Sequence, residues 1–176
     1  MTHNALGMKE TLAYAKMLQR DFAASIKKPG RKILWMHTNP FYQESVKAIF
    51  NYNFDPCVAL SEMCFDSLTD TDLDLHDPYR FMAARTVFNS LNGSILRRAK
   101  RAVEMAERIA ADGVILFCHW GCKETCGAST LIQETLESAG YPVLILNGDG
   151  VDRRNSSNGQ IQTRIEAFLE MLEGRL

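Results

Sequence analysis

This chain carries almost no net charge: 20 Lys and Arg stand against 21 Asp and Glu, a formal −1, and the isoelectric point lies near 6.4. A nucleic-acid binder shows a basic patch or stripe, so no nucleic-acid partner is expected. The one cationic cluster, Arg97, Arg98, Lys100 and Arg101, reads as the solvated face of a helix. Long apolar runs are missing too. The apolar runs present, such as residues 143–146 (VLIL), fall far short of the roughly 20 residues that span a bilayer, and no membrane association is expected. No basic segment followed by an apolar one opens the chain, so no signal peptide is expected and the location is expected to be cytoplasmic. Repeats, low-complexity tracts and long linkers are absent. Nothing marks a flavin or NAD site.

What is present suits one domain with a proper core: 46% of 176 residues are hydrophobic. The five cysteines are an odd number, most simply explained by unpaired thiols in a reducing compartment. Three of them fall in "FCHWGCKETCGAS", where Cys118, Cys122 and Cys126 recur every fourth residue. Three readings stand open: metal or iron–sulfur ligands, a reactive thiol, or small inert side chains.

Periodicity orders the rest. Residues 8–27 place Leu12, Ala15, Leu18, Phe22 and Ile26 three and four apart, which predicts an amphipathic helix. Strands are expected at 32–36 (KILWM), 56–60 (PCVAL), 113–120 (GVILFCHW) and 141–149 (YPVLILNGD). Helices are expected at about 42–52, 78–91, 94–111, 128–139 and 159–172. In the fourth of the six, Leu96, Ala99, Val103, Ala106 and Ala110 share a face. In the last, Ile161, Ile165, Phe168, Leu169 and Leu172 do so. Residues 61–76, with the acidic "DTDLDLHD" starting near their end, read as a solvated loop. Strands alternating with helices imply parallel βαβ units, and apolar strands imply a sheet covered on both faces. The expected fold is α/β: a three-layer sandwich around a four-stranded parallel sheet, flavodoxin- or Rossmann-like, in order 2-1-3-4. Residues 1–30 are expected to add a helix packed on a single α/β domain at 31–176.

Such sheets bind ligands beyond the carboxyl ends of their strands. Four loops belong there: 37–41, 61–67, 118–127 and 147–157. They carry Cys64, Cys118, Cys122 and Cys126, whereas Cys57 falls inside a strand and reads as core. A helix starting near residue 128 would aim its amides at the cysteine loop and favour thiolate. Cys118, closing a strand, and Cys126, before a helix, also read as small structural residues. His119 and Trp120 either line a pocket beside Cys122 or are a satisfied His and a packed Trp. In the last loop Asp149, Asp152, Arg153 and Arg154 either orient the loop internally or meet a phosphorylated or CoA-bearing ligand. Ser156, Ser157 and Asn158 are candidate caps.

"DGVILFCHWGCKETCGAS" together with "AGYPVLILNGDGVDRRNSSNGQIQTRIEAFLEML" resembles the C-terminal domain of the 2-hydroxyacyl-CoA dehydratase D-component family. That family also holds benzoyl-CoA reductase subunits and double-cubane cluster proteins, and the resemblance spans about residue 30 to the end. It implies a [4Fe-4S] cluster held by three cysteines. Cys122, after the third strand, and Cys64, in "SEMCFDS", match two ligand positions. Cys118 and Cys126 are weaker metal-ligand candidates, His119 and Trp120 pocket residues, and no residue is assigned a catalytic role. The resemblance further implies an anaerobic lyase or CoA-ester reductase. In it an ATP-dependent iron–sulfur activator delivers one electron, and a ketyl radical forms on an acyl-CoA thioester. Partners would be a paired dehydratase-type subunit or a second copy of this chain, the activator and an acyl-CoA. Family subunits are about twice as long, so the N-terminal cluster-binding domain is expected to lie outside this sequence, and the third ligand is expected either from a partner or from Cys118 or Cys126. The alternative is a non-catalytic docking or scaffold module without a cluster, and zinc in the Cys118 to Cys126 loop is a third option.

Overall fold

Four short apolar segments become four parallel strands: β1 (Lys32–Met36), β2 (Cys57–Ser61), β3 (Gly113–His119) and β4 (Val143–Gly148). Their order is β2-β1-β3-β4, as expected. The computed structural model describes residues 9–23, 30–40, 42–64 and 77–174. Six helices accompany the sheet: α1 (Lys9–Ala23), α2 (Glu44–Phe50), α3 (Pro78–Phe88), α4 (Ile95–Ile109), α5 (Lys123–Ser138) and α6 (Asn158–Glu173). A 3-10 turn, Glu62–Cys64, follows β2 directly. Most of the expected acidic loop, at 65–76, lies outside the described residues, and Asp77 caps α3 by accepting from the Arg80 amide.

Side chains alternate across a strand, and here the alternation separates two cores. Leu34, Met36, Val114, Leu116 and Cys118 face α4 and α5. Ile33, Trp35, Ile115 and Phe117 face α6, whose buried stripe is the predicted one, with α2 packed partly against the same layer. Trp35 stacks on Phe117 at 6.4 Å and meets the Phe50 ring edge-on at 6.0 Å. The two central strands are therefore apolar at nearly every position, as burial on both faces demands. Gly113 opens β3 where α6 passes close. A Cβ there would stand 2.8 Å from Phe168 Cζ and 2.9 Å from Leu172 Cδ1.

Four sequence expectations need correction. Helix α5 begins at Lys123 rather than near residue 128, because Cys122 is its N-cap and the Cys122 thiol accepts from the Thr125 amide. The buried face of α4 is Arg98, Ala99, Ala102, Met105 and Ala106, rotated from the expected stripe. Leu96 is exposed and Ala110 is the left-handed C-cap. The cationic cluster is thus not all solvated: Arg98 is buried. Finally, Cys57 lies on the edge strand β2 and is only partly covered, since an edge strand has a neighbour on one side only. In α1, Leu12, Tyr14 and Met17 face solvent. No described helix is long and apolar enough to cross a membrane.

The α6 layer depends on Ile165, which is fully buried. Ile165→Ala is expected to cost about 2–4 kcal/mol of stability, read from the midpoint of a urea unfolding curve.

Candidate functional site

Strand order reverses between β1 and β3, so the crevice beyond their carboxyl ends is where this fold binds ligands. Four segments meet that edge: His37 and Thr38 after β1, the Glu62–Cys64 turn after β2, His119 to Cys122 after β3, and the loop after β4. One buried ion pair joins three of them. Arg98 Nε donates to Glu62 Oε1 at 2.9 Å and Arg98 Nη2 to Glu62 Oε2 at 2.8 Å. The two side chains are 2% and 0% exposed. Glu62 Oε2 also accepts from the His37 amide at 2.9 Å, where the backbone is left-handed with φ 67°, a conformation uncommon outside glycine. On its other side Arg98 Nη1 donates to Thr125 Oγ1 at 3.0 Å and lies 3.7 Å from the Glu124 carboxylate. Burial, and next the Arg98 charge, lower the His37 pKa below the ordinary imidazole value, which keeps that ring neutral at pH 7.

The three clustered cysteines occupy three environments. Cys122 Sγ sits at the α5 N-cap, 3.5 Å from the Thr125 amide and 3.4 Å from Thr125 Oγ1. The Thr125 hydroxyl and then its amide lower the Cys122 pKa, and the α5 N-terminus acts in the same direction. Cys118 points into the α4–α5 core. Burial pushes its pKa up to about 11, and its thiol donates to the Thr125 carbonyl at 4.0 Å. Cys126 lies in the first turn of α5, not before it, and its thiol donates to the His119 carbonyl at 3.2 Å. Cys64 ends the 3-10 turn and is exposed.

Opposite Cys118 across β3, His119 Nδ1 accepts from the Gly150 amide at 3.0 Å. The neutral ring therefore carries its proton on Nε2. That atom faces Gly121, where a Cβ would approach to 2.9 Å, so the turn into Cys122 is glycine for want of room. Trp120 is 58% exposed and stands out from the edge as a free indole rather than a packed one. The loop after β4 is oriented from within. Asp149 accepts from the Val151 and Asp152 amides and from Asn155 Nδ2, at 2.8, 3.0 and 2.9 Å. Arg154 is held by Asp152. Tyr42 ties this loop to the β1 side through the Asp149 carbonyl and Ser156. Ser157, one of the three expected caps, caps α6 by accepting from the Gln160 amide.

The edge thus carries the predicted residues Cys64, Cys122, His119 and Trp120, with Cys118 turned inward and Cys126 engaged by backbone. Among the described residues, no group of three or more His, Cys, Asp or Glu side chains is arranged to hold a metal ion. A [4Fe-4S] cluster needs more thiolates than that, so the described part of this chain does not fit one unaided. Sequence reasoning missed Glu62, Arg98 and Thr125. A signal existed for Arg98, which stands four residues before Ala102 and seven before Met105, in line with the apolar stripe.

A doubly wound α/β domain with thiols along the carboxyl edge of its sheet is the class that fold and site define. The chain matches the family described as 2-hydroxyglutaryl-CoA dehydratase, D-component, over residues 1–172, and it belongs to that family. The match includes the first thirty residues, beyond the span carrying the motifs. No curated protein matches the chain.

Two outcomes follow from these environments. Iodoacetamide applied to the native, metal-free protein at neutral pH is expected to alkylate Cys122 well before Cys118, as peptide mass mapping would show. The Asp149 carboxyl, held down to about 2 chiefly by Asn155 and the Asp152 amide, stabilises its loop fully above its ordinary value of 3.8. That contribution is lost as pH falls toward about 2. Carbon-detected NMR titration is expected to place its midpoint there and to find it raised in Asn155→Ala.

Proposed function

We propose that this chain serves as a 2-hydroxyacyl-CoA dehydratase-type or CoA-ester-reductase-type subunit that contributes Cys122 and Cys64 as two thiolate ligands of a shared [4Fe-4S] cluster. The remaining ligands come from outside the described residues, from a paired subunit or a second copy of this chain. Membership of the family supports the reaction class. One observation carries the site: Cys122 is capped by two Thr125 groups that favour the thiolate, and the buried pair beneath it links that cap to the Cys64 turn. Thiolate is the form that binds iron.

When bound, such a cluster supplies single electrons at low potential, the chemistry that makes a thioester carbonyl reactive toward loss of a neighbouring hydroxyl. This chain's own part is to hold the ligands and shape the edge. Cys122 presents its sulfur where the α5 amides converge. His119, with its proton on Nε2, and the exposed Trp120 ring flank that turn as pocket residues for the acyl-CoA. An ATP-dependent iron–sulfur activator is the proposed electron source, and the cell's anaerobic cytoplasm the proposed setting.

The incomplete donor set favours a second reading, a docking module that holds no cluster. Iron and acid-labile sulfide on anaerobically purified protein decide between them, with Cys64→Ser and Cys122→Ser alongside. The first reading predicts a brown protein whose iron and sulfide fall sharply in both variants. A colourless protein that stays colourless after anaerobic reconstitution, alone and with its paired subunit, would mean the module reading holds. Zinc retained through the Cys118 to Cys126 loop would show in the same metal analysis.

A further inference from the structure

The Glu62–Arg98 pair is costlier than the fold requires. A buried ion pair loses the hydration of two charges, and apolar side chains of similar volume commonly pack as stably or better. The neighbours of Arg98 on α4, Ala102, Met105 and Ala106, are apolar and fully buried, so an apolar residue in that line would suit the core. What an apolar contact lacks is direction. The guanidinium is a rigid planar fork, and here its two edges serve two different segments. Nε and Nη2 grip the Glu62 carboxylate, and Nη1 grips the Thr125 hydroxyl. Glu62 is the first residue of the turn that ends at Cys64. Thr125 is the residue whose amide and hydroxyl flank Cys122 Sγ. The second donor to Glu62 Oε2, the His37 amide, pins the same carboxylate to the end of β1.

We infer that Glu62 and Arg98 are positioning residues: their pair sets the Cys64 turn against the Cys122 cap, and this placement, rather than stability, is its function. The inference deepens the proposed function, and rests on it only for the reason the two turns are held together. Neither residue is a ligand or touches substrate. Both act through the backbone that carries the sulfurs.

The test uses the full chain without metal. Cys57→Ser, Cys118→Ala and Cys126→Ser leave Cys64 and Cys122 for nitroxide labels, and pulsed electron spin resonance reads the distance between them. Each protein is frozen from a temperature at which circular dichroism shows it folded. The background protein is expected to give one narrow distance peak. In the apolar pair, Glu62→Met with Arg98→Met, the peak is expected to roughly double in width, even where the melting temperature matches the background. A narrow peak in the apolar pair, or a broad one already in the background, overturns the inference. If the apolar pair does not fold, Glu62→Gln decides in its place by the same reading: it keeps an acceptor for the His37 amide and loses the charge. Because no iron is involved, the two ideas fail separately. Iron bound with unchanged distances removes only the positioning role, and broadened distances without iron remove only the cluster.

Discussion

Three of the four segments at the carboxyl edge of this sheet hang on one carboxylate and one guanidinium sealed from water. Glu62 and Arg98 satisfy each other with two charge-assisted bonds, and each has a further partner, the His37 amide and the Thr125 hydroxyl. That full satisfaction is why the pair is tolerated. Breaking such a pair from one side typically costs about 3–5 kcal/mol, because the charge left behind has neither water nor partner. The pair also sits where β1, β2, α4 and α5 come together, and nothing else described joins these four elements through side-chain bonds. The left-handed backbone at His37 is held by the same carboxylate.

From that anchor the different characters of the cysteines follow. A thiol is set by its surroundings more than by its sequence neighbours. Cys122 has two hydrogen-bonding groups from Thr125 beside it, and Thr125 is itself fixed by Arg98. Cys118, four residues earlier, lies buried in the α4–α5 core, and its ionisation is suppressed. Cys126 spends its proton on a backbone carbonyl and fastens the first turn of α5 to the end of β3. A run that looks like one cluster is therefore one half-buried cap and two structural thiols. This separation is why Cys122, with Cys64 across the buried pair, is proposed as the contribution of this chain to a shared cluster.

Much of the fold was legible in the residues. The buried strands announce themselves as short apolar runs between turns, and α6 shows its stripe from Ile161 to Leu172 without interruption. These are local patterns, and the helical and strand periods suffice to read them. The resemblance in residues 112–129 and 139–172 pointed to the family that the whole chain then matched. The start of α5 was not legible, because cysteine is outside the usual capping set of Ser, Thr, Asp and Asn. Arg98 was misread for a related reason. A charged residue on a helix defaults to solvent, and only a partner that is 36 residues away in the chain reverses that default.

The sequence alone determined the class of the domain, the order of its elements and which loops share an edge, since these depend on hydrophobic period and on the handedness of βαβ crossovers. It also carried the family signature. Only the tertiary structure decided which cysteine is a cap and which is core, that Arg98 is buried, and that Glu62 holds three donors at once. Those outcomes depend on distances between segments far apart in the chain, and on water being excluded between them, which no local pattern of residues encodes.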